Sequence, residues 1–266
     1  MTPKQIKKEI LFLKSFSLLK SNPSKAGLMV LFDILFFAII FYILPISNAY
    51  ISHNFITPDK FASSSILIVF IVFSLIYYLA ILFVYSFFKY CVLGFIRSLF
   101  DKTDFSFKRL GQFYSLNIII TGIFFAAMLL LSFILANARE IYRPFVFAVL
   151  AIPYMLFLYV MLNASHSSFY SGLSIKESVR EGFKTTFTRV EVYKRIILIM
   201  ILTALILLLL FLGSGYLIRL ASKNYTLYLG IYTYFKQASI IIFDLAVYMF
   251  ILINRVSFYS MSKDTK

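Results

Sequence analysis

Residues 174–195, SIKESVREGFKTTFTRVEVYKR, form a charged segment between two long apolar runs. Ser174 and Glu177 have the spacing of a capping box, in which each side chain hydrogen-bonds to the backbone N–H of the other residue. Apolar side chains then recur at helical spacing along one face: Ile175, Val179, Phe183, Phe187 and Val190. The segment is therefore predicted to be an amphipathic helix that separates two membrane spans.

The composition excludes an ordinary soluble domain. Hydrophobic residues make up 61% of the 266 residues and charged residues only 14%, whereas a soluble domain has about half and about a quarter. The net charge of +15 raises nucleic-acid binding as an alternative. Lysines and arginines that flank membrane spans explain the same charge, so no nucleic-acid partner is expected. The only cysteine, Cys91, has no second cysteine in the sequence with which to form a disulfide.

Six apolar runs are long enough to cross a bilayer, which requires about 20 helical residues. We predict spans at residues 27–44, 63–100, 117–135, 144–170, 196–218 and 238–258. Pro45 is expected to end the first span and Gly172 the fourth, while Pro153 should kink the fourth. The second span exceeds the bilayer thickness, so it should project beyond the membrane or bend near Gly94. The tyrosine-rich stretch 221–237 is predicted to connect the last two spans.

Amphipathic segments similar to 174–195 precede two other pairs of spans. Near the N-terminus, Thr2 and Gln5 have capping-box spacing, and SNPS at residues 21–24 breaks the helix that they begin. The turn DKTD at residues 101–104 precedes FSFKRLGQFYS at residues 105–115. In that second segment three side chains share a helical face: Phe107, Leu110 and Tyr114.

The predicted fold is thus an all-α polytopic membrane protein, a single transmembrane domain over residues 1–266. Its six transmembrane helices are expected to form three repeats of an amphipathic helix followed by a transmembrane hairpin. The repeat units lie at roughly residues 1–100, 101–172 and 173–260.

The basic residues predict the orientation of these spans. When alternate connections are assigned to opposite sides, 20 of the 26 lysines and arginines fall on the side of the two termini and the amphipathic segments. Basic residues concentrate in cytoplasmic connections. We therefore expect a multi-pass protein of the cell membrane with both termini and all three amphipathic helices in the cytoplasm.

Asp33 is the most informative residue inside a predicted span, about 9 Å from the start of the first apolar run. A carboxylate at that depth is costly unless it is paired or hydrated, and such residues commonly mark functional sites. Four further polar residues are expected at similar depth and complete the candidate intramembrane site: Asn163, His166, Asn254 and Arg255, with Asn117 as a neighbour. The cluster could bind an ion, a proton or a lipid head group. The alternative is a structural Asp33–Arg255 pair.

Two other groups of polar residues have simpler interpretations. Asp244, seven residues into the last span, is expected to be an interfacial carboxylate. His53 and His166 are predicted on opposite sides of the membrane, so no metal site is expected. The chain contains no phosphate-binding glycine loop and no nucleophile elbow, and we predict neither a catalytic residue nor a cofactor.

The combination of SIKESVREGFKTTF, a basic turn and an apolar span resembles a known family of membrane domains. FSFKRLGQFYSLNIII and the SNP break before the first span fit the same pattern. The likeness is to the six-span membrane domain attached to some glycerophosphodiester phosphodiesterases and to the related uncharacterised prokaryotic integral membrane protein families. It implies a six-span architecture and a prokaryotic source. It supplies no catalytic residues, because the chemistry of the fused proteins belongs to a separate soluble domain.

These observations favour a non-enzymatic integral membrane protein. Its cytoplasmic amphipathic helices would contact lipid or a partner, with Lys176, Arg180 and Lys184 as the expected contact residues. The expected partners are membrane lipids, with another membrane or cytoplasmic protein as the alternative. The competing hypothesis is a transporter or channel for a small solute, an ion or a lipid, with its polar site around Asp33.

Overall fold

The computed structural model describes residues 11–54, 64–101, 105–188, 190–222 and 224–263, and these residues are almost entirely helical. The predicted capping box at Thr2 and Gln5, and residues 102–104 of the DKTD turn, lie outside the described residues. The described helices are α1 (Leu11–Ser21), α2 (Pro23–Asn54), α3 (Ser64–Ser98), α4 (Phe107–Asn137), α5 (Arg143–Tyr170), α6 (Ile175–Thr188), α7 (Val190–Ala221) and α8 (Tyr225–Lys263), with a 3-10 turn at Glu140–Tyr142.

Six of these helices are long and apolar enough to cross a membrane: α2, α3, α4, α5, α7 and α8. At 1.5 Å per residue, each exceeds the thickness of about 30 Å of a bilayer core. The prediction of six apolar spanning helices is therefore confirmed, and the chain is a multi-pass integral membrane protein.

The first pair of spanning helices, α2 and α3, forms an antiparallel hairpin. Lys25 Nζ, near the start of α2, donates a hydrogen bond to the carbonyl oxygen of Ser98 at the end of α3 (2.6 Å). Ser47, near the end of α2, bonds through its hydroxyl to Tyr77 in the first half of α3 (2.9 Å). Contacts at both ends of the pair fix its direction and register.

The other two pairs are antiparallel for the same reason. Arg109 in the first turn of α4 donates to the carbonyl oxygen of Phe169 at the end of α5 (3.0 Å). In α7 and α8, Gly215 lies beside the ring of Tyr232, and the Asn254 amide reaches Met200 Sδ at 3.6 Å. One end of the bundle, termed the packed end, therefore holds the starts of α2, α4 and α7 and the ends of α3, α5 and α8. The opposite end is termed the open end.

Most of the fully buried side chains lie towards the packed end. They include Met29, Leu93, Phe113, His166 and Tyr259. Towards the open end the apolar side chains of the same helices are largely exposed, among them Phe41, Phe133, Phe147, Leu209 and Tyr234. In a membrane protein these exposed apolar surfaces contact lipid.

The turn from α5 into α6 forms as the sequence predicts. Gly172 has a positive φ of 105°, and the Leu173 N–H donates to the Ser168 carbonyl (3.2 Å), which together end α5 in the manner of a Schellman motif. The capping box is confirmed, since Ser174 N–H donates to Glu177 Oε2 (3.0 Å) and Glu177 N–H donates to Ser174 Oγ (3.3 Å). Helix α6 therefore starts at a fixed point relative to α5.

Small polar residues, rather than the whole apolar stripe, carry the contact of α6 with the bundle. The buried residues of α6 are Ser178, Gly182, Thr185 and Thr186. A Cβ atom at Gly182 would lie 2.0 Å from Ser165 Oγ of α5, so only glycine permits this approach of the two helices. Of the predicted stripe, Phe187 is exposed. The stripe is thus only partly a packing face.

The prediction that Pro45 ends the first span is wrong. Helix α2 continues through Pro45 to Asn54. A proline lacks the N–H needed for one helical hydrogen bond, but membrane helices tolerate this loss when neighbouring groups and lipid burial keep the rest of the ladder intact.

The prediction of a separate amphipathic helix at residues 105–115 is also wrong. Residues 107–137 form the single helix α4, which Ser106 caps by accepting a hydrogen bond from the Arg109 N–H. The polar segment and the apolar span have no helix-breaking residue between them, so one helix continues through both. The threefold repeat and the single domain stay predictions.

The predicted connection at residues 221–237 is helical from Tyr225 onward, so this prediction is wrong for most of its length. Aromatic rings contact one another in sequence along one side of α8, at helical spacing: Tyr225, Tyr228, Tyr232 and Phe235. Asn224 Oδ1 accepts from the Thr226 N–H (2.9 Å) and helps to start the helix. These tyrosines suggest a connection by their composition, but in the structure they lie in a row along one side of α8.

Candidate functional site

The centre of the candidate site is an ion pair between the first and the last spanning helices. Arg255 of α8 binds the Asp33 carboxylate of α2, and the Tyr248 hydroxyl donates to Asp33 Oδ2 (2.7 Å). Asp33 is 7% exposed. Because α2 begins at Pro23 rather than at residue 27, Asp33 lies about 15 Å along the helix from its start. The structural pair named as an alternative from the sequence is therefore formed.

Lys89 of α3 adds a second basic side chain beside this pair. Its side chain is buried, and the charges of Arg255 and Asp33 act on it. No hydrogen bond or ion pair joins Lys89 to another described residue, so its ammonium group differs from that of Arg255, which has a carboxylate partner. Asp33, Arg255 and Lys89 therefore bring three ionisable side chains from three helices together inside the bundle.

A second polar chain crosses α3, α4 and α5 near Lys89. His166 Nε2 lies 2.7 Å from Asn117 Oδ1, and the Asn117 amide donates to Ser86 Oγ (2.9 Å). The Ser86 hydroxyl donates in turn to the Leu82 carbonyl (2.6 Å). His166 Nδ1 is buried without a hydrogen-bond partner in the described residues. This series of hydrogen bonds joins α3, α4 and α5 and leaves His166 Nδ1 without a described partner.

Asn163 and Asn254 take no part in the Asp33 cluster. The Asn163 amide donates to the Tyr159 carbonyl of its own helix (2.8 Å). The Asn254 amide donates to the Tyr159 hydroxyl of α5 (3.0 Å) and lies 3.6 Å from Met200 Sδ of α7, whereas its neighbour Arg255 binds Asp33 of α2. The structure therefore brings together Asp33 and Arg255 of the five predicted residues. His166 belongs to the adjacent hydrogen-bond series with Asn117 and Ser86, and the two asparagines lie elsewhere.

Three members of the site were not identified from the sequence: Lys89, Tyr248 and Ser86. Lys89 is included, among those on the cytoplasmic side, in the count of basic residues that predicts the orientation. Its position well inside the 63–100 run was a sign that it is buried. Tyr248 is seven residues before Arg255, and Ser86 is three before Lys89, so helical spacing places each pair on one face. These spacings identify candidates only once Arg255 and Lys89 are assigned to the site.

The basic residues of α6 form a separate surface. Lys176, Arg180 and Lys184 follow one another at four-residue spacing and are all exposed. Lys184 Nζ lies 4.0 Å from Glu181 Oε2. Glu177 accepts hydrogen bonds from the backbone N–H and then the hydroxyl of Ser174, which lowers the pKa of its carboxyl group. The basic face points away from the small residues that pack on α5.

Asp244 is exposed near the middle of α8, and its assignment to the lipid–water interface stays a prediction. Among the described residues, no three histidine, cysteine or acidic side chains are grouped as a metal site would require.

No protein-family model, curated protein or solved structure matches the chain.

Proposed function

We propose that the chain is a non-enzymatic multi-pass membrane protein that holds a rigid basic helix against the anionic head groups of the inner leaflet. The observation that carries the proposal is the arrangement of α6. Its small face is packed on α5, and Lys176, Arg180 and Lys184 are exposed together on the outside. Each such basic residue near an anionic surface contributes about 1 kcal/mol.

The charge distribution supports this assignment. The excess of basic residues is at the packed end, which the positive-inside rule assigns to the cytoplasm. The capping box and Gly172 fix the start of α6, so little ordering is needed when the lysines meet lipid. The resemblance to the membrane domains of glycerophosphodiester phosphodiesterases agrees with a non-catalytic role, because the reaction in those proteins belongs to another domain.

The test compares two triple variants in nanodiscs that contain phosphatidylcholine and a variable fraction of phosphatidylglycerol. Neutralising Lys176, Arg180 and Lys184 to glutamine should lower the enrichment of phosphatidylglycerol around the protein, measured with a spin-labelled lipid. The matched control neutralises Arg139, Arg219 and Lys236, which are exposed basic residues assigned to the other side. Equal enrichment in the two variants would overturn the proposal. Unchanged lipid enrichment together with loss of a co-purifying protein would assign the face to a protein partner instead.

The second candidate function is transport of a small solute, ion or lipid through the bundle. The specific observation in its favour is the buried Lys89, which has no described partner and lies beside the Asp33–Arg255 pair. Unpaired charges inside a membrane bundle commonly mark a substrate or proton path.

Flux measurements in proteoliposomes test this second candidate. We expect Lys89→Met and Asp33→Asn to abolish flux of a transported anion or proton if the function is transport. The Lys176→Gln variant serves as the control, since it removes an exposed charge outside the bundle. Flux that is equal in wild type, Lys89→Met and Asp33→Asn would exclude a role of the cluster in transport.

A further inference from the structure

A cavity of about 520 Å³ lies at the packed end, between α2, α3, α5 and the start of α4. This volume is within the range of about 300–1,000 Å³ that is typical of small-molecule sites. The cavity is separate from the exposed basic face of α6 and from the Asp33 cluster, because no residue of either group lines it. Its lining combines basic groups with aromatic and aliphatic side chains.

Three cations from three helices line this cavity, and no described carboxylate does. They are Lys25 of α2, Arg97 of α3 and Arg109 of α4. Lys25 and Arg109 each donate to a backbone carbonyl, which leaves most of their N–H donors unused. The Arg97 carbonyl accepts from the N–H groups of Phe100 and Asp101, but its guanidinium group has no hydrogen bond or ion pair with another described residue. The neighbouring Asp101 is bound to Lys263 instead, at 2.8 Å.

The cationic groups are held in place without an anion. Arg109 lies over the Phe169 ring, with 5.3 Å between its guanidinium carbon and the ring centroid, and donates to the Phe169 carbonyl. Lys25 is fixed by its bond to Ser98, one residue beyond Arg97. Three like charges that face one cavity repel each other, and a bound anion would relieve this repulsion. Arginine donors in a fixed fork suit a phosphate group in particular.

The apolar part of the lining is continuous with the lipid-facing surface of α2. Leu28 lines the cavity and is also partly exposed, and Leu31 and Leu35 continue along the same side of the helix towards the open end. Phe32 and Phe95 form the inner wall, with an edge-to-face ring contact at 5.5 Å. An acyl chain can lie along these three leucines while the polar head group of the same lipid stays beside the three basic side chains.

We propose that this cavity binds an anionic phospholipid, with the phosphate at Lys25, Arg97 and Arg109 and an acyl chain along Leu28, Leu31 and Leu35. The ligand class follows from the two parts of the lining. The cations select a phosphate, and the apolar ridge selects an amphiphile over a free anion. The site goes beyond the proposed role of α6, which requires only a charged leaflet surface and no cavity.

The experiment uses the full chain in phosphatidylcholine nanodiscs and a phosphatidate that carries a photoreactive group on its acyl chain. After illumination, the crosslinked peptides are identified, and unlabelled competitors are titrated: phosphatidate, phosphatidylcholine and inorganic phosphate. We expect crosslinks on α2 and α3 around residues 28–35 and 91–95. Phosphatidate should compete at least tenfold better than phosphatidylcholine, and inorganic phosphate should not compete at the same concentration.

Two pairs of matched variants locate the site. Arg97→Gln should weaken binding about fivefold, the effect of about one surface cation, whereas Arg97→Lys retains the charge. Gly94→Leu should block the cavity, because a side chain at Gly94 approaches Tyr170, another lining residue. Gly94→Ala is its control, since the Cβ atom would lie 3.9 Å from the Tyr170 hydroxyl, an ordinary contact. Arg219→Gln controls for the loss of one exposed charge.

The outcomes separate this site from the alternatives. Equal competition by phosphatidate and phosphatidylcholine, or equal binding in Gly94→Leu and Gly94→Ala, would overturn the proposal. Displacement by inorganic phosphate would assign the cavity to a soluble anion and would also overturn it. Normal phosphatidate binding by the α6 triple-glutamine variant would support it and would distinguish the cavity from the α6 surface. Monodisperse elution of every variant confirms that loss of binding is not loss of folding.

Discussion

The two ends of the bundle are built from the same six helices but differ in how those helices are held. At the packed end, polar side chains join neighbouring helices: Asn117 to Ser86, His166 to Asn117, and Ser257 to Ser15 (2.9 Å). At the open end the helices present mostly Leu, Ile and Phe to the outside. Lipid tails are as apolar as leucine, so contacts between apolar residues alone contribute little free energy to the association of membrane helices. Hydrogen bonds between helices are concentrated at the packed end, whereas the open end has fewer, such as the one between Ser47 and Tyr77.

This difference places the stable part of the protein at the packed end. Every candidate functional feature lies there, including the ion pair, the cavity and α6. A site on tightly joined helices keeps its geometry, whereas the open end can adjust to the surrounding lipid. The following variants test the contrast, from the largest expected effect to the smallest.

The most direct test uses two phenylalanines of α4. Phe113 is 0% exposed at the packed end, and Phe133 is 70% exposed towards the open end. Phe113→Ala should lower the free energy of unfolding by about 3–5 kcal/mol, because it leaves a cavity in the core. Phe133→Ala should change it by less than about 0.5 kcal/mol. Equilibrium unfolding in mixed micelles measures both, and similar losses would contradict the division into two ends.

The buried ion pair gives the next effect. Asp33→Asn should lower the free energy of unfolding by about 3 kcal/mol, because it leaves Arg255 and Lys89 without a carboxylate. Arg255→Met should cost less, since Lys89 can then neutralise Asp33. The same unfolding measurement, with Asp244→Asn as the exposed control, tests the order. A larger loss in Arg255→Met than in Asp33→Asn would show that Lys89 does not interact with Asp33.

The contact between α5 and α6 should tolerate no added atom. Gly182→Ala places a Cβ atom against Ser165 and the Met161 carbonyl oxygen, and overpacking of this kind costs about 1–3 kcal/mol. Gly111→Ala is the control, because nothing lies within 4 Å of its added Cβ atom. Thermal unfolding compares the two variants. Adding Ser165→Ala to Gly182→Ala should restore part of the loss, and no restoration would refute this explanation.

The capping box gives the smallest effect and a dependence on pH. Ser174→Ala should reduce stability by about 1 kcal/mol through loss of the cap. The lowered pKa of Glu177 means that its contribution is present above the pKa of the unfolded chain and is lost as the pH falls through the lower pKa of the folded protein. Thermal unfolding between neutral and acidic pH should therefore show the difference between wild type and variant shrinking below about pH 4. A difference that does not change with pH would exclude the Glu177 carboxylate as its source.

The sequence was sufficient for the number and order of the spanning helices, because each is a long apolar run with few charges. It also predicted the end of α5 at Gly172 and the start of α6 at Ser174, where the residues have strong local preferences. It did not predict where helices continue beyond the apolar region. The polar residues before span 3 and the tyrosines after Tyr225 are compatible with helix, and composition alone does not separate a helix from a connection there.

The candidate site was only partly predictable. Asp33 was identified because a carboxylate in an apolar run is rare, and Arg255 was the nearest cation of matching depth. Contacts of Asn163, Asn254 and His166 depend on the rotation of each helix about its axis, which a single sequence does not determine. Lys89 was assigned to topology because its charge also fits the positive-inside pattern. The cavity is formed by residues of four helices, so no local pattern indicates it.

The pairing of Asp33 with Arg255 also has a consequence for the order in which the protein is made. The two residues are 222 positions apart in the chain. At about 5–20 residues per second of synthesis, Asp33 enters the membrane about 10–45 s before its partner is made. During that interval Lys89 is made, on the next helix, and its side chain interacts electrostatically with Asp33 in the folded protein. The last helix then completes the charge balance of the first, so assembly of the packed end waits for the final span.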